Sequence, residues 1–130
     1  KTAENTQEKI EFFQKAVDLV KGPYLNDVYA DWAMHDRERL NQAYLNALAS
    51  LGKLYQTNAE PEKALEVCQR AIHYDPAFET AYQISMQVYH RLSDQSSIRR
   101  TYQACVDVMK RQYGMSPSRE TEELYRTYSK

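Results

Sequence analysis

The sequence predicts an all-α fold, a right-handed stack of antiparallel helix pairs closed by a C-terminal capping helix. Three observations lead there. Apolar residues recur at helical spacing in successive runs, and six of the seven glycines and prolines fall between those runs. One stretch also repeats, at a period of about 34 residues. It reads Leu48, Leu51-Gly52, Tyr55, then Ala64, Cys68, Ala71 and Asp75-Pro76. Gly52 and Ala64 let two helix backbones approach closely, Tyr55 and Cys68 fill the space beside them, and Pro76 stops the second helix. One period later Leu48 maps to Tyr82, Tyr55 to Tyr89, Ala64 to Ile98, Cys68 to Tyr102 and Ala71 to Cys105. Met86 in place of Gly52 and Ile98 in place of Ala64 make the second copy degenerate, as end repeats tend to be.

The elements follow in order. Residues 5–21 carry Ile10, Phe13, Ala16, Val17 and Val20 on one side, with Asn5 and Glu8 as a start signal and Gly22-Pro23 as a stop. In a repeat array this helix is the second of a pair whose first member lies upstream. The connector that follows holds Tyr24, Leu25, Val28, Tyr29 and Trp32. So much apolar material predicts a connector pinned across the helix pair in preference to an aromatic ligand pocket. Asp31 caps a helix over residues 32–56, striped by Leu40, Tyr44, Ala47, Leu48, Leu51 and Tyr55. Residues 60–74 form its partner, with Pro61 in the first turn and Ala64, Leu65, Cys68, Ala71 and Ile72 inward. The next pair spans 78–92 and 95–113, capped by Asp94 and ended by Gly114. Ser116-Pro117-Ser118 then opens a capping helix over 118–129, whose Leu124, Tyr125 and Tyr128 close the stack.

Composition bounds the function. At 130 residues the chain suits a single domain that buries about two thirds of its unfolded surface. The net charge of -1 argues against a nucleic-acid surface over the whole chain. The charge is uneven, however, with nine basic and thirteen acidic residues up to position 90 and eight against five beyond it. Cys68 and Cys105 read as buried free thiols; without a signal peptide or long apolar run, a reducing, cytoplasmic setting is expected. The chain opens on Lys1 directly into a helix and reads as a piece of a longer protein.

Catalytic and metal motifs are thin. No phosphate-cradling glycine loop, paired-cysteine motif or His-Glu-x-x-His helix occurs. Cys68 and His73 fall on different faces of their helix, and His35 and His90 lack ligand-spaced partners. Cys105 occupies a small-residue position between helices, which suits packing better than nucleophilic work. No catalytic residue, metal or cofactor is expected.

The order large, small, aromatic, small, small and final proline in the repeat resembles the tetratricopeptide repeat. Two loop motifs make the resemblance more specific. Gly22-Pro23-Tyr24-Leu25 with Asp31-Trp32, Glu38-Arg39-Leu40 and Tyr44, and the closing Tyr113-Gly114, Pro117-Ser118, Glu120-Thr121 and Leu124-Tyr125, resemble the bacterial transcriptional activator domain. The resemblance covers about residues 11–125 and implies a regulatory module of regulators related to the Streptomyces antibiotic regulatory proteins. Such a module usually follows a winged-helix DNA-binding domain, which is absent here. It implies protein contacts and self-association as the working mode. The expected partners are other domains of the same regulator, a second copy, or the transcription machinery. No membrane and no direct sequence-specific nucleic-acid binding are expected.

Two surfaces are candidates. The first helices of the two pairs, lining the concave side of a tetratricopeptide stack, offer Asn46, Lys53, Gln56, Thr80, Gln83, Gln87, His90 and Arg91. Lys53, His90 and Arg91 suit an acidic group, while Ala49 stands where a peptide-carboxylate clamp needs a cation. The second is a basic face of Arg99, Arg100, Lys110 and Arg111, flanked by Arg119 and Arg126. Arg99 and Arg100 sit against the dipole near a helix start, which suggests a use other than stability, such as contact with DNA backbone. The alternative function is a general tetratricopeptide adaptor that binds a peptide or partner protein in the groove.

Overall fold

The structure, a computed structural model, describes residues 2–21 and 34–129, with side chains over 6–18 and 38–129. Six helices account for all the regular structure among them: α1 (Thr2–Lys21), α2 (Met34–Thr57), α3 (Pro61–Tyr74), α4 (Glu79–Arg91), α5 (Gln95–Tyr113) and α6 (Arg119–Tyr128). The expected aromatic connector from Tyr24 to Trp32, the Asp31 cap and Val20 lie outside the described side chains. The chain is already helical at Thr2, so the Asn5–Glu8 pair falls inside α1 and not at its start.

Each helix packs on the next, α1 on α2 and so on to α5, as expected when short turns join antiparallel neighbours. Further contacts join α2 to α4 and bring α6 onto both α4 and α5. This is an all-α helical-repeat arrangement. Its two inner turns have the same hydrogen bonding. Asn58 N–H donates to Leu54 O, Ala59 N–H to Gln56 O and Glu60 N–H to Tyr55 O; Leu92, Ser93 and Asp94 do the same to Val88, His90 and Tyr89. Ala59 and Ser93 both adopt the left-handed conformation, at φ 58°. For a residue with a Cβ that conformation costs about 1–2 kcal/mol, and it is what turns the chain sharply enough to lay α3 on α2 and α5 on α4.

The caps are local. Asp94 accepts from the Ser97 N–H at 3.1 Å and the Ser97 hydroxyl at 2.7 Å, and these bonds hold its carboxyl below the usual carboxylate range. Pro61 opens α3, where its missing N–H is not needed. Gly114, at φ 64°, ends α5 and donates to the carbonyl of Lys110. Downstream of α3, Asp75 receives the Ala77 N–H on its side chain and ends the helix together with Pro76.

The core runs through α1 to α4. Tyr44, Ala47, Leu48, Leu51 and Tyr55 of α2 are buried as their spacing predicts, while Leu40 is half-buried. Each large apolar side chain here is worth about 1.5–3 kcal/mol. In α3 the inward face differs from the expected one: Val67 joins Ala64, Cys68 and Ala71, whereas Leu65 and Ile72 are only half-buried. Ala64, Val67, Cys68 and Ala71 share one helical face, and Val67 lies beside Gly52. A methyl built at Gly52 would meet Cys68 Sγ and Ile84 Cγ2 at 3.4 Å and Val67 Cγ2 at 3.6 Å. Met86 and Ile98, the large residues at small-residue positions of the second copy, are both fully buried. At the corresponding place in the first copy, Gly52 leaves its room to the side chains of Cys68, Val67 and Ile84.

These distances separate two substitutions. Gly52→Ala adds a methyl at contact distance and gains about 1 kcal/mol of helix propensity, so its urea midpoint should stay level or rise. Gly52→Leu must push Cys68 and Ile84 aside and should lose at least about 1–3 kcal/mol. Equal loss from both would show the crossing to be tighter than described.

Candidate partner-binding surface

The candidate groove residues separate into two groups. Asn46 and Lys53 are exposed on α2, and Asn46 accepts from the side chain of Gln42 at 3.1 Å. At the C-terminal ends of α2 and α4, Arg91 Nη1 reaches across to the carbonyl of Gln56 at 3.2 Å. The guanidinium adds a second donor to a carbonyl that already accepts the Ala59 N–H, and complements the α2 dipole. Beneath this bridge lies a cavity of about 200 Å³ lined by Gln56, Ala59, Pro61, Val88, Arg91 and Leu92. Leu92 is half exposed at its rim. Gln56 and Arg91 thus border an apolar socket with a cation at its edge, while Asn46 and Lys53 lie exposed further up α2 and outside its lining.

The remaining groove residues lie nearer the capping helix. Gln83 donates to Thr121 Oγ1 at 2.9 Å, and the His90 ring stacks on Tyr128 with centroids 4.1 Å apart. Thr80 and Gln87 are half-buried along the same helix. The groove expected along both first helices is open beside α2 and engaged by α6 along part of α4.

The way α6 is held was not legible in advance. Leu124, Tyr125 and Tyr128 are only half-buried, and Thr121 is the buried residue of this helix. Its hydroxyl donates to Glu79 Oε1 at 2.6 Å and accepts from Gln83; the same Glu79 oxygen receives the Ser118 N–H at 2.9 Å. Tyr102 donates to Glu122 at 2.6 Å and stacks flat on Tyr125, with ring centroids 3.9 Å apart. Burial, followed by the Glu122 carboxylate, pushes the Tyr102 hydroxyl up to about 12, so it remains a donor. The one available signal was Ser118 three residues before Thr121, a capping pattern that also presents the threonine inward.

Arg99, Arg100, Lys110 and Arg111 are all exposed on α5. Eleven residues return a helix to within about 20° of the same side, about 16 Å along the axis, so the two basic pairs share a face. Lys110 and Arg111 lie in the last turn, where positive charge complements the dipole. Arg99 reaches Ser96 Oγ at 3.4 Å, and Arg100 donates to Ser97 Oγ at 2.9 Å. Arg119 instead pairs with Glu123 at 3.0 Å in an exposed contact of small energetic value.

Neither cysteine is placed for chemistry. Both are free and buried, and burial pushes the Cys68 thiol up to about 11 and the Cys105 thiol up to about 12. Among the described residues no three His, Cys, Asp or Glu side chains converge as a metal site, and no helix is long and apolar enough to cross a membrane.

The six helices form an all-α helical-repeat fold among the described residues. The chain matches the family described as bacterial transcriptional activator domain over residues 1–127 and belongs to it. That family consists of regulatory, non-catalytic domains of transcriptional regulators. No curated protein and no solved structure matches the chain.

Two outcomes follow from this geometry. Thr121→Val keeps the shape but takes the hydroxyl from Gln83 and leaves Glu79 with the Ser118 N–H alone, and should cost about 1–3 kcal/mol; amide exchange across residues 119–128 should speed up while that of α2 and α3 stays slow. At pH 8 both thiols stay protonated in the folded chain, so a thiol reagent should label Cys68 and Cys105 only at the rate of unfolding. Rapid labelling in native buffer would contradict their burial.

Proposed function

We propose that this chain is a protein-interaction and oligomerisation module of a bacterial transcriptional regulator, acting in the cytoplasm beside a separate DNA-binding domain and without catalysis of its own. The observation that carries this reading is the apolar socket lined by Gln56, Val88, Arg91 and Leu92 at the end of α2, a helix whose exposed strip upstream carries Asn46 and Lys53. One buried apolar anchor with a polar, cationic rim is how small interfaces gain both affinity and orientation. The partner that fits is a protein surface presenting an apolar side chain next to a carboxylate. It comes from another domain of the same regulator, a second copy, or the transcription machinery. The basic face of Arg99, Arg100, Lys110 and Arg111 adds affinity beside DNA backbone without reading sequence.

The matched turns at Ala59 and Ser93 also support the second reading, a general repeat adaptor that takes a peptide in the same groove. Light scattering over a concentration series separates self-association from a strict monomer. Lys53→Glu with Arg91→Glu should weaken association with a partner or second copy about tenfold or more, because it turns attraction for a carboxylate into repulsion. Arg126→Glu, on exposed α6, should leave it unchanged. Equal effects from both variants would remove the strip from the interface.

A further inference from the structure

Between α3 and α5, over α4, lies a cleft of about 260 Å³ bordered by Gln69, Ile72, Tyr82, Tyr89, Arg100 and Thr101. Of the residues assigned to the candidate surfaces it uses only Arg100, from the basic face. A second cleft, of about 280 Å³, occupies the corresponding place between α1 and α3 over α2. There Tyr55, Glu66 and Val67 stand at the preceding repeat positions of Tyr89, Arg100 and Thr101. The charge is inverted between them. The earlier cleft holds the carboxylates of Asp18 and Glu66 with Arg70, while the later one has Arg100 and no acid on its lining.

Arg100 is oriented as well as exposed. Its Nη2 donates to Ser97 Oγ at 2.9 Å, and that hydroxyl donates to Asp94 Oδ2 at 2.7 Å. This relay fixes one edge of the guanidinium and leaves its other donors for a ligand. Among the described residues Arg100 forms no ion pair, and the side chains of Tyr89, Thr101 and Gln69 make no hydrogen bond within the protein. The Tyr82 hydroxyl is committed to the Pro76 carbonyl at 2.7 Å, which presents its ring as apolar wall beside Ile72. A single guanidinium, partly offset by Asp94 behind it, suits a monoanion better than a phosphate dianion.

We infer that the α3–α5 cleft binds a monocarboxylate about one aromatic ring in size, with its carboxylate on Arg100 and its ring against Tyr82, Ile72 and Tyr89. The occupant is a free aryl acid. A peptide chain end carries the same chemistry, and the two are told apart by experiment. Phenylacetate is titrated into the isotope-labelled chain and amide shifts are followed, with acetyl-glycyl-phenylalanine, phenylacetamide and inorganic phosphate in parallel. Phenylacetate should bind with a dissociation constant of about 1 mM, the range open to a ten-atom ligand, and shift the amides of Thr101 and Ala104. The neutral amide should bind at least tenfold more weakly. Arg100→Gln should lose at least tenfold while keeping the wild-type melting temperature, and Arg99→Gln should bind normally. Tighter binding of the peptide than of phenylacetate assigns the carboxylate to a chain end, and the reverse assigns it to a small acid. Phenylacetamide binding as well as phenylacetate, Arg100→Gln binding as well as wild type, tighter phosphate binding, or shifts confined to other parts of the chain would each overturn the assignment.

Discussion

The close crossing at Gly52 is the contact on which the other helices depend. Cys68 of α3, Val67 beside it and Ile84 of α4 all come within contact distance of the place where a side chain would begin. Three helices meet there because one of them has no large side chain. The approach sets how far α3 lies from α2 and seats α4 on both. It buries Leu48 and Leu51 almost completely. The cavity at Val88 and the cleft over Tyr82 and Tyr89 both take their walls from α4, and so inherit its position from this crossing.

The two ends of the α4 surface are built on different physics. Toward α2 and α3, α4 contributes Ala81, Ile84 and Val88 to a dry, close-packed core. Toward α6 the contact consists of the Glu79–Thr121–Gln83 bonds and the His90–Tyr128 stack, with the Tyr102–Tyr125 stack alongside on α5. Apolar burial is non-directional and gives bulk stability, whereas hydrogen bonds and ring stacks give orientation at small net energy. A short helix held in the second way belongs to the low-stability end of the fold, where local opening concentrates.

Charge is distributed with the same economy. Cations are placed where helix ends need them, Arg91 over the α2 carbonyls and Lys110 and Arg111 in the last turn of α5. Arg99 and Arg100 run against that rule and are held by the serines of their own first turn. These side-chain contacts hold both guanidinium groups at a site that does not favour them electrostatically. The chain that carries them belongs to the bacterial transcriptional activator domain family.

What the sequence determined by itself was whatever depends on periodicity and backbone chemistry. The stripe Tyr44, Leu48, Leu51 and Tyr55, the cap at Asp94, the stops at Pro76 and Gly114 and the close-packing role of Gly52 were all readable, because each follows from the geometry of one or two adjacent helices. The left-handed turns at Ala59 and Ser93 were not readable, since neither residue favours that conformation and only the packing of the flanking helices imposes it. The choice of Val67 over Leu65 for the core was likewise decided across the helix pair, where Val67 lies beside Gly52. The candidate surface shows the same division. Its residues could be named from repeat position, but which of them stay open and which meet α6 depends on Thr121 finding Glu79, 42 residues away in the chain. Contacts at that separation leave no periodic trace, so only the tertiary structure decides them.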